Sequence, residues 1–144
     1  MKKITISEIY LNILMGEIID WPEISIEYEL DDGFIDEFAD KLNWISLCKY
    51  QQLSEEIIDK YIDKIDWYIL PMYQKLTYHM IEKYKDKLSW YWLIACNRFD
   101  ENFLWRYREY IQHMIEILYH HQTISDEFIK RLQDWRIENG FDVQ

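Results

Sequence analysis

The sequence predicts an all-α chain: an α-solenoid of about five 23-residue helix-pair repeats with atypical terminal repeats and a hand that periodicity does not specify. Three observations carry this. Trp21, Trp44, Trp67 and Trp90 recur at a constant spacing of 23 residues. Helix-capping residue types recur in two columns in step with them. Three Gly and two Pro in 144 residues leave little turn chemistry for a hairpin-rich β fold, while 49% apolar and 17% aromatic residues supply a core.

The elements follow in chain order, within one domain spanning 1–144. Ile6-Ser7-Glu8 is a degenerate copy of a repeat's helix start and predicts a cap helix over about residues 5–19. Met1-Lys2-Lys3 has the charge of a secretory leader, but Ser7, Glu8 and Asn12 interrupt the apolar run that should follow, so the chain reads as unprocessed. Repeats then start at about residues 20, 43, 66, 89 and 114. Asp20, Asn43, Asp66 and Ser89 each precede a Trp and cap a shorter helix, which buries the Trp with Ile24, Leu47, Leu70 or Leu93. Pro71 falls inside one of these helices and lacks an amide donor, so a kink or a 3₁₀ turn is expected there.

Leu30, Leu53, Leu76 and Phe99 stand nine residues after each Trp, followed by the cap types Asp31, Ser54, Thr77 and Asp100, which open a longer helix. Its apolar residues are Phe34, Ile35, Phe38 and Leu42 in the first copy, and Ile57, Ile58, Tyr61 and Ile65 in the second. Met80, Ile81, Tyr84 and Leu88, then Phe103, Leu104, Tyr107 and Ile111, continue the pattern. Steps of 0, 1, 4 and 8 form one stripe on a helix and cannot form a strand face. Gln122, Ile124, Ser125, Phe128, Ile129 and Leu132 mark a fifth copy with two extra residues. Gln51, Gln74, Asn97 and Gln122 form a polar column expected to satisfy backbone groups between stacked repeats. Burial of three or four apolar residues per helix, each worth about 1.5–3 kcal/mol, offsets chain entropy only when repeats stack.

The stretches LSEEIIDKYIDKIDW (Leu53 to Trp67), YQKL (Tyr73 to Leu76) and YKDKLSW (Tyr84 to Trp90) resemble a short helical repeat of proteins from large DNA viruses and phages. The resemblance covers about residues 20–132. It implies a viral or phage origin and a helical array, and it brings no catalytic residues. After Trp90 the chain departs from it, with Arg98-Phe99-Asp100 in place of a Lys-Leu-Ser type sequence.

The charge of −11 is unevenly spread: residues 1–72 carry −10 and residues 73–144 carry −1. Between Glu17 and Asp40 ten acids occur with no Lys or Arg, which opposes binding of a nucleic-acid backbone by this half and permits a basic partner. The candidate acidic face is Glu27, Glu29, Asp31, Asp32, Asp36, Glu37 and Asp40. A second candidate set is aromatic and basic: Trp92, Arg98, Trp105, Arg106 and Arg108. Trp105 occupies a column filled elsewhere by Asp36, Asp59, Glu82 and Lys130, so it either points to solvent or is tucked, with Trp92, under the C-terminal segment. Tyr68, Tyr78 and Tyr91 also fall outside the core columns. Asp40-Lys41, Asp63-Lys64 and Asp86-Lys87 read as ladder pairs near helix C-termini.

His113, Glu116 and His120, at i, i+3 and i+7, would share one helix face, but without an HExxH motif no metal site is assigned. No catalytic residue or cofactor is assigned either: a Gly-rich phosphate loop, a GxSxG elbow and an isolated carboxylate pair are all missing from the sequence. No stretch approaches the roughly 20 apolar residues of a membrane span, and Cys48 and Cys96 lack CxxC spacing. The expected setting is therefore the host cytoplasm, with no membrane contact. The expected function is non-enzymatic: a viral or phage interaction module that engages a host protein with a basic surface, as an acidic inhibitor of a nucleic-acid-binding or defence factor. A binder of a nucleotide-like small ligand and a self-assembling structural repeat protein, active as a homo-oligomer, are the alternatives.

Overall fold

The computed structural model describes residues 5–141, and the Met1-Lys2-Lys3 segment lies outside them. Among the described residues there are twelve helices and no strand: α1 (Ile6–Leu14), α2 (Trp21–Glu27), α3 (Asp32–Glu37), α4 (Trp44–Tyr50), α5 (Glu55–Lys60), α6 (Leu70–Tyr73), α7 (Tyr78–Tyr84), α8 (Trp90–Cys96), α9 (Glu101–Arg106), α10 (Arg108–Ile111), α11 (Ile115–His121) and α12 (Asp126–Glu138). None is long and apolar enough to cross a membrane. The chain forms two compact units, Met1–Leu88 and Ser89–Gln144.

Capping sets the helix starts. The side chains of Asp31, Ser54, Thr77, Asp100 and Ser125 each accept a hydrogen bond from the amide three residues on, at 2.8–3.2 Å. In the column before the Trp, Asp20 and Asn43 do the same. Asp66 accepts from Ile69, three residues on, and also from Tyr68. Residues 67–69 form a turn, and α6 begins late with Pro71 in its first turn, where an amide donor is not needed. Ser89 is the N-cap of α8 without a side-chain cap bond.

Two expectations about length are corrected. The helix opened by the second cap is the longer only in two pairs, α7 against α6 and α12 against α11; elsewhere α3, α5 and α9 have six residues, while the Trp-led α2, α4 and α8 have seven. At Phe38, Tyr61 and Tyr107 the backbone leaves the α region, with φ of −104° to −114° and ψ of 22° to 34°; tight turns follow the first two and the short helix α10 follows the third. Those turns and α10 keep Leu42, Ile65 and Ile111 on the buried side, so the apolar stripe outlasts the helix that begins it. The cap helix stops at Leu14 rather than near Ile19, because Gly16 takes a φ of 72° and its amide bonds back to Ile13 O, ending the helix.

Packing repeats with the sequence. Trp21, Trp44, Trp67 and Trp90 lie against Phe38, Tyr61, Tyr84 and Tyr107, with ring centroids 4.9–5.0 Å apart. The indole Nε1 of Trp44 donates to Ala39 O (2.8 Å) and that of Trp67 to Ile62 O (3.2 Å), pinning the turn that leads into the Trp helix. At the N-terminal end α1 buries Ile9, and Tyr10 packs on Phe34 and Phe38.

The glutamine column joins successive copies. Gln51 Nε2 donates to Ser25 O (3.2 Å) and Tyr28 O (2.7 Å), and its Oε1 accepts from Leu30 N–H (3.1 Å). Gln74 repeats the set one copy later, donating to Cys48 O (2.8 Å) and Gln51 O and accepting from Leu53 N–H (3.0 Å). The carbonyls so engaged belong to the ends of α2 and α4, where helices leave acceptors without an internal partner. Within the second unit Gln122 makes the same three bonds to Ile94 O, Asn97 O and Phe99 N–H. Its partners are each two residues further away in sequence than those of Gln51, so the two extra residues are absorbed without loss of the pattern. Asn97, one methylene shorter, donates to Leu93 O of its own helix.

Candidate functional site

The seven residues of the acidic face divide into two groups. Four are engaged within the first unit. Asp31 caps α3. Glu37 accepts the Tyr10 hydroxyl proton, an interaction that pushes the Tyr10 phenol up to about 12. Asp36 accepts from Lys60 (2.5 Å) and the Tyr61 hydroxyl (2.5 Å), and Lys60 followed by Tyr61 holds its carboxyl below the usual range. Asp40 pairs with Lys64, with the same consequence. One copy later Asp59 repeats the Asp36 pattern with Lys83 (2.5 Å) and the Tyr84 hydroxyl (2.5 Å). The Asp-Lys motif thus works as an inter-repeat rung, seen in Asp40 with Lys64.

The other three acids, Glu27, Glu29 and Asp32, have no ion pair or side-chain hydrogen bond among the described residues. Glu29 and Asp32 are exposed and Glu27 is half-buried. No Lys or Arg lies between residues 17 and 40 to neutralise them locally.

The aromatic and basic set is only partly assembled. Trp105 is half-buried, edge-on to Phe128 of α12 (6.4 Å), so it lies under the C-terminal helix rather than open to solvent. Arg131 of the same helix lies over the Trp105 ring at 3.7 Å. Arg108 stands between Trp105 (4.9 Å) and Trp135 (5.0 Å) and donates from Nη1 to Trp105 O (2.9 Å). Arg106 instead covers Tyr107, Arg98 is exposed between α8 and α9, and Trp92 stands edge-on to Tyr91 (5.0 Å) on α8. Trp105 and Trp135, with Lys130, Arg131 and the acids Glu127, Asp134 and Glu138, border an open cleft of about 470 Å³. Sequence reasoning passed over Trp135 and Arg131. The signal was present, since Trp135, like Tyr110 before it, puts an aromatic in a column of Lys41, Lys64 and Lys87.

Tyr68, Tyr78 and Tyr91 are exposed, as their columns indicate. His113 does not share a face with Glu116 and His120, because α11 starts at Ile115 and His113 sits in the turn before it. Among the described residues no group of three or more His, Cys, Asp or Glu is arranged to hold a metal ion. Cys48 is buried, which raises its thiol pKa, and Cys96 is exposed.

One surface feature was missed by reading only the 23-residue register. Leu11, Leu14, Met15 and Ile18 are exposed, Leu14 at 83% and Ile18 at 101% of their full accessibility. Their spacing of i, i+3, i+4 and i+7 is itself the sequence signal. Since Ile9 and Tyr10 of α1 face the unit's interior, the helix is apolar on both sides.

In comparisons with known proteins, no family model matches the sequence, and no match is found among curated proteins or solved structures.

Proposed function

We propose that the chain is a non-enzymatic protein-interaction module, an α-solenoid of 23-residue helix pairs that engages a basic surface of a host protein during viral or phage infection. The observation that carries this reading is the division of the acids. Asp36, Asp40 and Asp59 each meet a lysine one copy later, whereas Glu27, Glu29 and Asp32 meet none among the described residues and lie in a stretch without a cation. Uncompensated charge of one sign steers an oppositely charged partner and makes binding sensitive to salt. The paired acids serve the fold; the unpaired ones are left for recognition.

The test is a pull-down from host lysate with three baits: the native chain, the variant Glu27→Lys, Glu29→Lys, Asp32→Lys, and a control with the same charge change at Glu56, Asp63 and Glu109. A basic protein retained by the native chain and the control, lost from the first variant and released between about 0.05 and 0.5 M salt, is the expected result. Equal recovery on all three baits would refute the reading.

The cleft bordered by Trp105 and Trp135 favours a second reading. Its volume of about 470 Å³ lies in the range of small-ligand sites, and its aromatic and charged walls suit a nucleotide-like molecule. Against this, Arg131 and Arg108 already cover the Trp105 ring.

A further inference from the structure

We infer that the outward stripe of α1 and the turn after it, Leu11, Leu14, Met15 and Ile18, docks the apolar face of a basic amphipathic helix contributed by the partner. The inference rests on the acidic-surface reading above and adds to it where and how the partner is held. α1 carries apolar residues on two sides, separated by Ser7, Glu8 and Asn12, and apolar surface left in water is stabilised when a partner covers it. One side of α1 is covered by this chain, through Ile9 buried and Tyr10 packed on Phe34 and Phe38. The other is open: Leu11, Leu14, Met15 and Ile18 are 54%, 83%, 67% and 101% exposed. Leu11, Leu14 and Met15 lie within about one helical turn of one another, with Ile18 exposed just beyond Gly16, and long apolar side chains left open in one short segment mark an interaction surface.

Charge selects the occupant. The stripe runs directly into the segment from Glu17 to Asp40, with ten acids and no Lys or Arg. A second copy of this chain, docked about a two-fold axis, would bring two such segments together and be repelled. A helix with leucine-type residues on one face and lysine or arginine on the other meets both features at once, in the helix-to-surface mode of recognition.

The probe is a synthetic Leu/Lys peptide of about 18 residues patterned at the helical period, compared by fluorescence anisotropy with a permuted peptide of identical composition. The native chain is expected to prefer the patterned peptide by about tenfold or more. Leu14→Ser, Met15→Ser and Ile18→Ser together, all at exposed positions, should erase that preference while leaving the far-ultraviolet circular dichroism and the weaker binding of the permuted peptide unchanged. Equal binding of the two peptides would overturn the apolar dock and leave the acidic surface standing. Failure of both peptides to bind would overturn both. A preference that survives the serine substitutions would place the dock elsewhere than α1, and a peptide-free mass of twice 18.0 kDa, abolished by those substitutions, would make a second copy the occupant and overturn the proposal.

Discussion

Replacing Gln74 by Leu tests whether the glutamine rungs hold the first unit together. The side chain is 4% exposed and its three hydrogen bonds serve Cys48 O, Gln51 O and Leu53 N–H. Leucine has a similar volume, so the change removes the bonds and leaves little cavity. Each buried backbone group stranded without a partner costs about 1–3 kcal/mol, and three of them, relieved in part by the gain of a buried apolar side chain, cost about 3–5 kcal/mol. Against a typical total of about 5–15 kcal/mol this is a large fraction of the stability of the fold. Gln52 next to the rung is exposed, so Gln52→Leu should change stability by less than about 0.5 kcal/mol. Urea unfolding followed by tryptophan fluorescence and circular dichroism reads both variants. If Gln74→Leu costs under about 1 kcal/mol, water satisfies those groups and the rung is not what couples one copy to the next.

Two further predictions concern charge and the second unit. Asp36 and Asp59 titrate below ordinary aspartate because Lys60 and Lys83, with Tyr61 and Tyr84, favour their ionised forms. A depressed native pKa stabilises the fold above the unfolded value of about 3.9, and that stabilisation is lost as pH falls through the native values. The double substitution Asp36→Asn, Asp59→Asn should therefore flatten the acid limb of a stability–pH curve below about pH 4, while identical limbs would show the rungs to be uncoupled from folding. In thermal-shift measurements nucleotides should leave the melting temperature unchanged, because Arg131 at 3.7 Å and Arg108 already occupy the Trp105 ring. A rise that disappears in Trp105→Ala would favour the small-ligand reading instead.

What could be read from sequence was what depends on near neighbours. Asp31, Ser54, Thr77, Asp100 and Ser125 announce helix starts because a cap bond spans three residues. The buried columns Phe34/Ile35, Ile57/Ile58 and Met80/Ile81 follow from helical period alone. Helix ends were harder. Phe38 and Tyr61 leave the α region while packed on Trp21 and Trp44, seventeen residues away in sequence, a tertiary arrangement that no local window contains. Gly16 was a local signal for the early stop of α1, outweighed in the reading by apolar residues continuing to Ile19. Of the acidic face, the residue types were plain but their fates were not. Asp36 and Asp32 look alike until Lys60 and Tyr61 are placed beside one of them. The same holds for Trp105, whose surroundings are set by α12, twenty or more residues on.

The glutamine rungs also give the fold a direction in time. Ser25 O and Tyr28 O wait for Gln51, and Cys48 O and Gln51 O wait for Gln74, so each of these carbonyls is closed by a residue 23 to 26 positions later. On a ribosome, where the chain emerges N-terminus first at about 5–20 residues per second, each copy followed by a glutamine rung is finished only by its successor, a second or a few seconds behind it. Behind a glutamine the earlier acceptors are locked, while Asn97, which bonds within its own helix, closes no earlier copy.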